Sequence, residues 1–205
     1  MRFTKRQTMR HILLALSTVA AAASAATAQD VPWKGAYGGL TRANNLGDDD
    51  YSIDLSYDLE GQTTGAFAGY LWAKNKMVYG VETAVTLGKV YEVEKDGSFR
   101  FEDDYQYERF FDLKGRFGYS AGHVLLYSLL GLSHTDFRAD MRRAYEIDTS
   151  TNGLMYGVGA DYRVAGQTFI GVEYLRRSYD FYEPLQDVDI SSKINTLTLR
   201  VGMEF

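Results

Sequence analysis

Ten charged residues recur at alternate positions in stretches that are otherwise apolar or glycine-rich. The acids are Glu82, Asp112, Asp161, Glu173 and Glu204; the bases are Lys114, Arg116, Arg163, Arg177 and Arg200. The pattern is plainest around Arg116, where Asp112, Lys114 and Arg116 share one parity and Phe111, Leu113, Gly115 and Phe117 share the other. Five acids facing five bases predict a neutral, interlocked set of ion pairs, because an unpaired buried charge is strongly destabilising. Such a set can serve as a structural plug or as the gate of an ion-conducting pore. Catalytic chemistry is poorly provided for. Beyond the leader the only histidines are His123 and His134. A serine esterase needs Ser and His within hydrogen-bond reach of each other. Ser133 and His134 are adjacent, and adjacent residues of a strand point to opposite faces. No catalytic residue is therefore assigned and the chain is read as a non-enzyme. No metal or cofactor site is assigned either: the acidic run Asp48, Asp49, Asp50, Asp54, Asp58 and Glu60 lacks the spacing of a preformed calcium loop and allows only weak divalent binding.

The elements that must position these charges read as eight strands, roughly 33–44, 63–73, 77–88, 107–120, 124–137, 153–164, 168–180 and 193–205. Three connections are tight turns, at Lys74-Asn75-Lys76, Ala121-Gly122-His123 and Ala165-Gly166-Gln167. Four others, 45–62, 89–106, 138–152 and 181–192, read as long polar loops. Glu92, Glu94, Asp96, Glu102, Asp103 and Asp104 make the second of these as acidic as the first. Short and long connections in alternation predict an all-β, eight-stranded antiparallel up-and-down barrel. Parity then fixes which way it faces. Turning Lys114 and Arg116 toward lipid would cost ~2–4 kcal/mol each near mid-bilayer, so charges face the lumen and apolar side chains face out. The third, sixth, seventh and eighth strands obey the same rule, whereas the segment 124–137 is apolar on both faces and its facing is undecided. A soluble ligand-binding barrel shows the reverse arrangement. Tyr70, Trp72, Tyr79, Phe117, Tyr119, Tyr127, Tyr162, Phe169 and Phe205 cluster near the tight turns and predict an aromatic girdle at that interface.

Both chain ends fit this reading. Arg2, Lys5, Arg6 and Arg10 precede an Ala-rich apolar stretch, and Ala26-Thr27-Ala28 has the small-x-small form of a cleavage site. Residues 1–28 are read as a cleaved secretory signal and 29–205 as one barrel domain. Without the four basic residues of the leader, 18 of the 22 Lys and Arg remain against 27 Asp and Glu, a net charge of −9. Such a chain is a poor nucleic-acid binder. The chain has no Cys, so an oxidising compartment is compatible but no disulfide contributes. The final segment alternates Leu197, Leu199, Val201, Met203 and Phe205 with Thr198, Arg200, Gly202 and Glu204.

Four segments carry a family resemblance: Trp33-Lys34-Gly35-Ala36-Tyr37-Gly38-Gly39, Gly65-Ala66-Phe67-Ala68-Gly69-Tyr70, Tyr156-Gly157-Val158-Gly159-Ala160-Asp161-Tyr162, and Arg200-Val201-Gly202-Met203-Glu204-Phe205. Through them the chain resembles the small outer membrane β-barrel superfamily, which includes outer membrane protein A-like barrels and the alphaproteobacterial "porin family" or outer membrane immunogenic proteins. The resemblance implies a place in the Gram-negative outer membrane, porin-like architecture, and contact with outer membrane lipid and lipopolysaccharide. It also implies recognition of the terminal Phe205 by the barrel assembly machinery. A structural or surface-antigen role follows, with an extracellular ligand met by the long acidic loops. A small ion or solute channel and a lipid A-modifying enzyme are the competing readings.

Overall fold

The computed structural model describes residues 33–52, 56–93, 105–141, 145–183 and 188–205. The secretory signal expected at 1–28, and part of each expected loop, lie outside the described residues. Eight antiparallel strands form one closed barrel in sequence order: β1 (Gly35–Tyr51), β2 (Ser56–Lys74), β3 (Met77–Val93), β4 (Tyr105–Ala121), β5 (Val124–Met141), β6 (Tyr145–Ala165), β7 (Thr168–Glu183) and β8 (Val188–Glu204). β1 pairs with β8 to close the wall, and the Phe205 amide donates to the Ala36 carbonyl at 2.8 Å beside that seam.

The three tight turns are two-residue hairpins. Each opens on a residue of positive φ, Asn75 (57°), Gly122 (62°) or Gly166 (54°), where Asn and Gly carry the smallest steric penalty. The opposite end of the barrel differs from the sequence reading. Much of 45–62, 89–106, 138–152 and 181–192 is strand rather than loop, as in the pairing of Asp48 with Asp58 and of Asp140 with Glu146. Beyond the lipid-facing zone the outward residues are polar, so the contrast between faces that marks a strand in sequence fades. The ladder of backbone hydrogen bonds continues regardless.

Register sets the geometry of the wall. Stepping across paired residues from Gly39 passes Phe67, Ala84, Asp112, Ser133, Gly153, Tyr179 and Ser192, and returns to β1 at Asp49, ten residues further on. A stagger of this size tilts the strands by ~40°, so one residue advances ~2.5 Å along the barrel axis. Apart from Thr83 and Ser128, the outward face is apolar from the turns up to Leu40, Ala66, Leu87, Phe111, Leu132, Leu154, Tyr174 and Leu197, and on β1 the exposed Arg42 and Asn44 follow Leu40. With the stagger taken into account, this belt is ~25 Å tall, the height of a membrane barrel's apolar band. The strands are 16–21 residues long, so ~15 Å of wall stands beyond the belt at the loop end.

Candidate functional site

The lumen is filled, and its filling follows from pairing large side chains with glycines. Tyr37 lies across from Gly69, Tyr127 from Gly159, Tyr179 from Gly153, and Phe169 from Gly202. A Cβ on Gly159 would strike the Tyr127 ring, and one on Gly171 would strike the Asp161 carboxylate. The narrow interior of an eight-stranded barrel therefore accommodates rings and long charged chains because the next strand presents no side chain there.

All ten predicted charges face inward and are buried. The structure brings them together as three neutral groups rather than one network. The central group holds Glu82, Asp161 and Glu173 against Lys114, Arg116 and Arg200. Lys114 Nζ sits 2.8 Å from both Glu82 Oε1 and Glu173 Oε1. Arg116 spans Glu82 Oε2 at 3.1 Å and Asp161 Oδ2 at 2.6 Å. Arg200 reaches Glu82 Oε2 at 2.7 Å and Glu173 Oε2 at 2.9 Å. Two tyrosines complete the group. Tyr37 donates to Glu82 Oε2 at 2.9 Å and accepts from Arg116 Nη1 at 3.0 Å. Tyr127 lies flat beneath the Arg116 guanidinium, 3.7 Å from ring centroid to Cζ, and its hydroxyl is 3.2 Å from Glu173 Oε2. Charge-assisted hydrogen bonds of this kind offset the desolvation of six buried ions only when nearly every donor and acceptor is engaged.

Toward the loop end, Arg177 Nη2 pairs with Asp112 Oδ2 at 2.6 Å. Ser133 donates to Asp112 Oδ1 at 2.5 Å, Tyr179 donates to Ser133, and Arg177 Nη1 donates to Thr196 at 2.8 Å. Leu59, Val90, Tyr107, Phe110, Tyr179 and Ile194 pack around and above this pair. Higher still, the Tyr107 hydroxyl lies 3.3 Å from Asp49 Oδ2 and 3.0 Å from Ser192 Oγ. At the turn end Arg163 pairs with Glu204, and its guanidinium covers the Trp33 ring with Cζ 4.3 Å from the centroid. Trp33 donates to the Gly122 carbonyl at 3.3 Å and meets the Phe169 ring edge-on.

Two expectations are corrected, and the open facing of one strand is fixed. Tyr127 and Phe169 belong to the lumen, not to the outward girdle, because each takes the inward parity opposite a glycine. Tyr70, Trp72, Tyr79, Phe117, Tyr119, Tyr162 and Phe205 do face outward. The undecided β5 points Leu125, Tyr127, Leu129 and Ser133 inward, and Leu126, Leu130 and Leu132 toward lipid. Asp49, expected in a loop, is a fully buried lumen residue of β1. The sequence reading also missed Tyr37, Tyr107 and Tyr179 as lumen partners; for Tyr37 and Tyr179 the signal available was the glycine directly across the strand pair, Gly69 and Gly153, whereas Tyr107 faces Val90 and Phe137. Ser133 and His134 point to opposite faces: Ser133 serves Asp112, while His134 Nδ1 lies 2.9 Å from Asn152 Oδ1 on the outer surface. Among the described residues no three Asp, Glu or His side chains converge to hold a metal.

A closed eight-stranded barrel with a lipid-facing belt and a charged lumen defines a membrane β-barrel of the small outer membrane type. The family model for the outer membrane protein beta-barrel domain matches residues 12–205, and the chain belongs to that family. It is 30% identical over 179 residues to a 22 kDa outer membrane protein of Rhizobium leguminosarum bv. viciae, covering 84% of this chain and 78% of that one. Neisserial surface protein A has the same fold, with a TM-score of 0.54 at 16% identity over 83% of this chain and 97% of that one. Ail, the attachment invasion locus protein of Yersinia pestis, aligns with a TM-score of 0.44 at 15% identity over 81% and 99%.

Proposed function

We propose that this outer membrane barrel is a non-enzymatic, non-conducting scaffold of the cell envelope, and that its specific contacts are made by the wall and loops beyond the apolar belt. The observation that supports this reading is the sealed lumen, in which a six-charge group at mid-height lies between an ion pair stacked on Trp33 and one packed in the apolar cluster around Phe110 and Tyr179. Short turns face the periplasm and long connections face outward in barrels of this kind, which puts Asn75, Gly122 and Gly166 inside the envelope. The outward acids beyond the belt, among them Asp50, Asp136, Asp180 and Asp189, then form a surface suited to a cationic ligand. The His-poor, split arrangement at Ser133 and His134 offers no catalytic base for lipid A modification.

The refolded mature chain in planar bilayers should give no discrete current steps; steady unitary conductance would replace the scaffold reading with the small channel. In intact cells, a membrane-impermeant thiol reagent should label Asp50→Cys and leave Asn75→Cys untouched, and the opposite pattern would reverse the orientation.

A further inference from the structure

At the loop-side edge of the apolar belt, β7 and β8 carry two cations on the outer face of the wall. Arg176 pairs directly with Asn195, and Ser178 with Lys193, so Arg176 and Lys193 flank Asn195 on one surface. Cross-strand neighbours of this kind lie ~5–8 Å apart. Two other basic residues near this edge are engaged: Arg42 donates to Thr64 and Gln62, and Arg109 binds Asp136 at 2.9 Å. Arg176 has no ion-pair partner among the described residues, and Lys193 only a loose, half-exposed one, Asp50, at 3.7 Å. Asn195 is oriented. The Tyr174 hydroxyl donates to its Oδ1 at 3.2 Å, which leaves the amide N–H groups as the free end of the side chain. A guanidinium, an ammonium and an amide donor thus share one patch, bounded on the β1 side by Asp48, which pairs across from Lys193. Immediately below it Tyr174 and Leu197, themselves paired across the strands, begin the lipid-facing surface.

We infer that Arg176, Lys193 and Asn195 form a binding site for the phosphate group of an outer-leaflet lipid, with its acyl chains lying along Tyr174 and Leu197. The site suits an amphiphile rather than a free anion, because the donors sit at the height where a headgroup meets hydrocarbon and the surface beneath them is apolar. The partner of this patch at the belt edge, as distinct from the acidic surface above it, is thereby a phosphorylated glycolipid such as lipid A. This rests on the loop end facing outward, yet binding in micelles tests the site whichever way the barrel inserts.

The experiment is native mass spectrometry of the folded mature barrel in detergent with added diphosphorylated lipid A. A Lys or Arg near a phosphate-rich surface contributes about fivefold in affinity, so Arg176→Ala with Lys193→Ala should weaken retention about 25-fold. The dephosphorylated lipid should bind wild type about as weakly as the diphosphorylated lipid binds the double variant, and Lys74→Ala with Lys76→Ala at the turn end should change nothing. Heat-modifiable gel migration establishes that each variant is folded. Equal retention by the double variant, equal binding of the dephosphorylated lipid, an equal loss in the turn-end control, or displacement by millimolar inorganic phosphate would each overturn the site.

Discussion

The two faces of β4 differ in what they tolerate. Asp112, Lys114 and Arg116 look into the lumen and Phe111, Leu113 and Phe117 look into lipid, so one strand meets two solvents at alternate residues. Inside, stability depends on matching: each charge is tolerable because specific partners sit within hydrogen-bond distance. Outside, it depends only on the absence of charge, since any apolar surface suits a hydrocarbon solvent. Mutations that remove a lumen charge and mutations that add a charge to the outer face should therefore both be costly, while trimming an outer side chain should not.

The largest effect is expected at Arg116. Replacing it with Leu leaves Glu82 and Asp161 without one of their cations and should lower stability by ~3–5 kcal/mol, read as an earlier urea midpoint for the barrel refolded in lipid vesicles. Next comes the reverse experiment: Leu130→Arg, near the middle of the belt, should cost ~2–4 kcal/mol in the same vesicles. If Leu130→Arg were harmless, the outward assignment of β5 would be wrong. Gly159→Ala should cost ~1–3 kcal/mol, because the added methyl displaces the Tyr127 ring from beneath Arg116; Tyr127→Ala in the same chain should recover part of the loss. The smallest change is Phe117→Ala, at ~0.5 kcal/mol on a membrane transfer scale. A Phe117→Ala midpoint below that of Arg116→Leu would show that water in the lumen already screens the ion pairs.

The same contrast explains what could be read from the sequence. Where polar and apolar residues alternate strictly, as from Phe111 to Phe117 in β4 and from Leu197 onward in β8, the facing of each side chain followed from the cost of placing a cation in lipid. The two-residue turns at Asn75, Gly122 and Gly166 were equally legible, because a positive φ selects Asn and Gly. In β5 both faces are apolar between Val124 and Leu132, one toward lipid and the other toward lumen rings, so alternation carried no information. The partition of ten charges into groups of six, two and two was also invisible. It depends on the ten-residue stagger, which sets residues of different strands at one height. Tyr37 and Tyr127 were missed because an aromatic ring suits either solvent, and only the glycine across the strand pair shows which one it occupies. Asp49 looked like a loop acid because nothing in its neighbours reveals that β1 continues past Asn45.

The seam between β1 and β8 bears on how the barrel comes to be closed. Seven of the eight interfaces join strands consecutive in sequence, and each can zip outward from its own connection. The eighth joins Tyr37 to Glu204 across nearly the whole chain, and contacts so distant in sequence carry the slowest entropy-limited step. The six-charge group draws Arg200 from β8 onto Glu82 of β3, so it is complete only once the sheet has curled shut. In kinetic terms it acts as a clasp, favouring closure little while the sheet is open and opposing reopening afterwards. Substitutions at Arg200 should accordingly appear more in the rate of unfolding than in the rate at which the hairpins assemble.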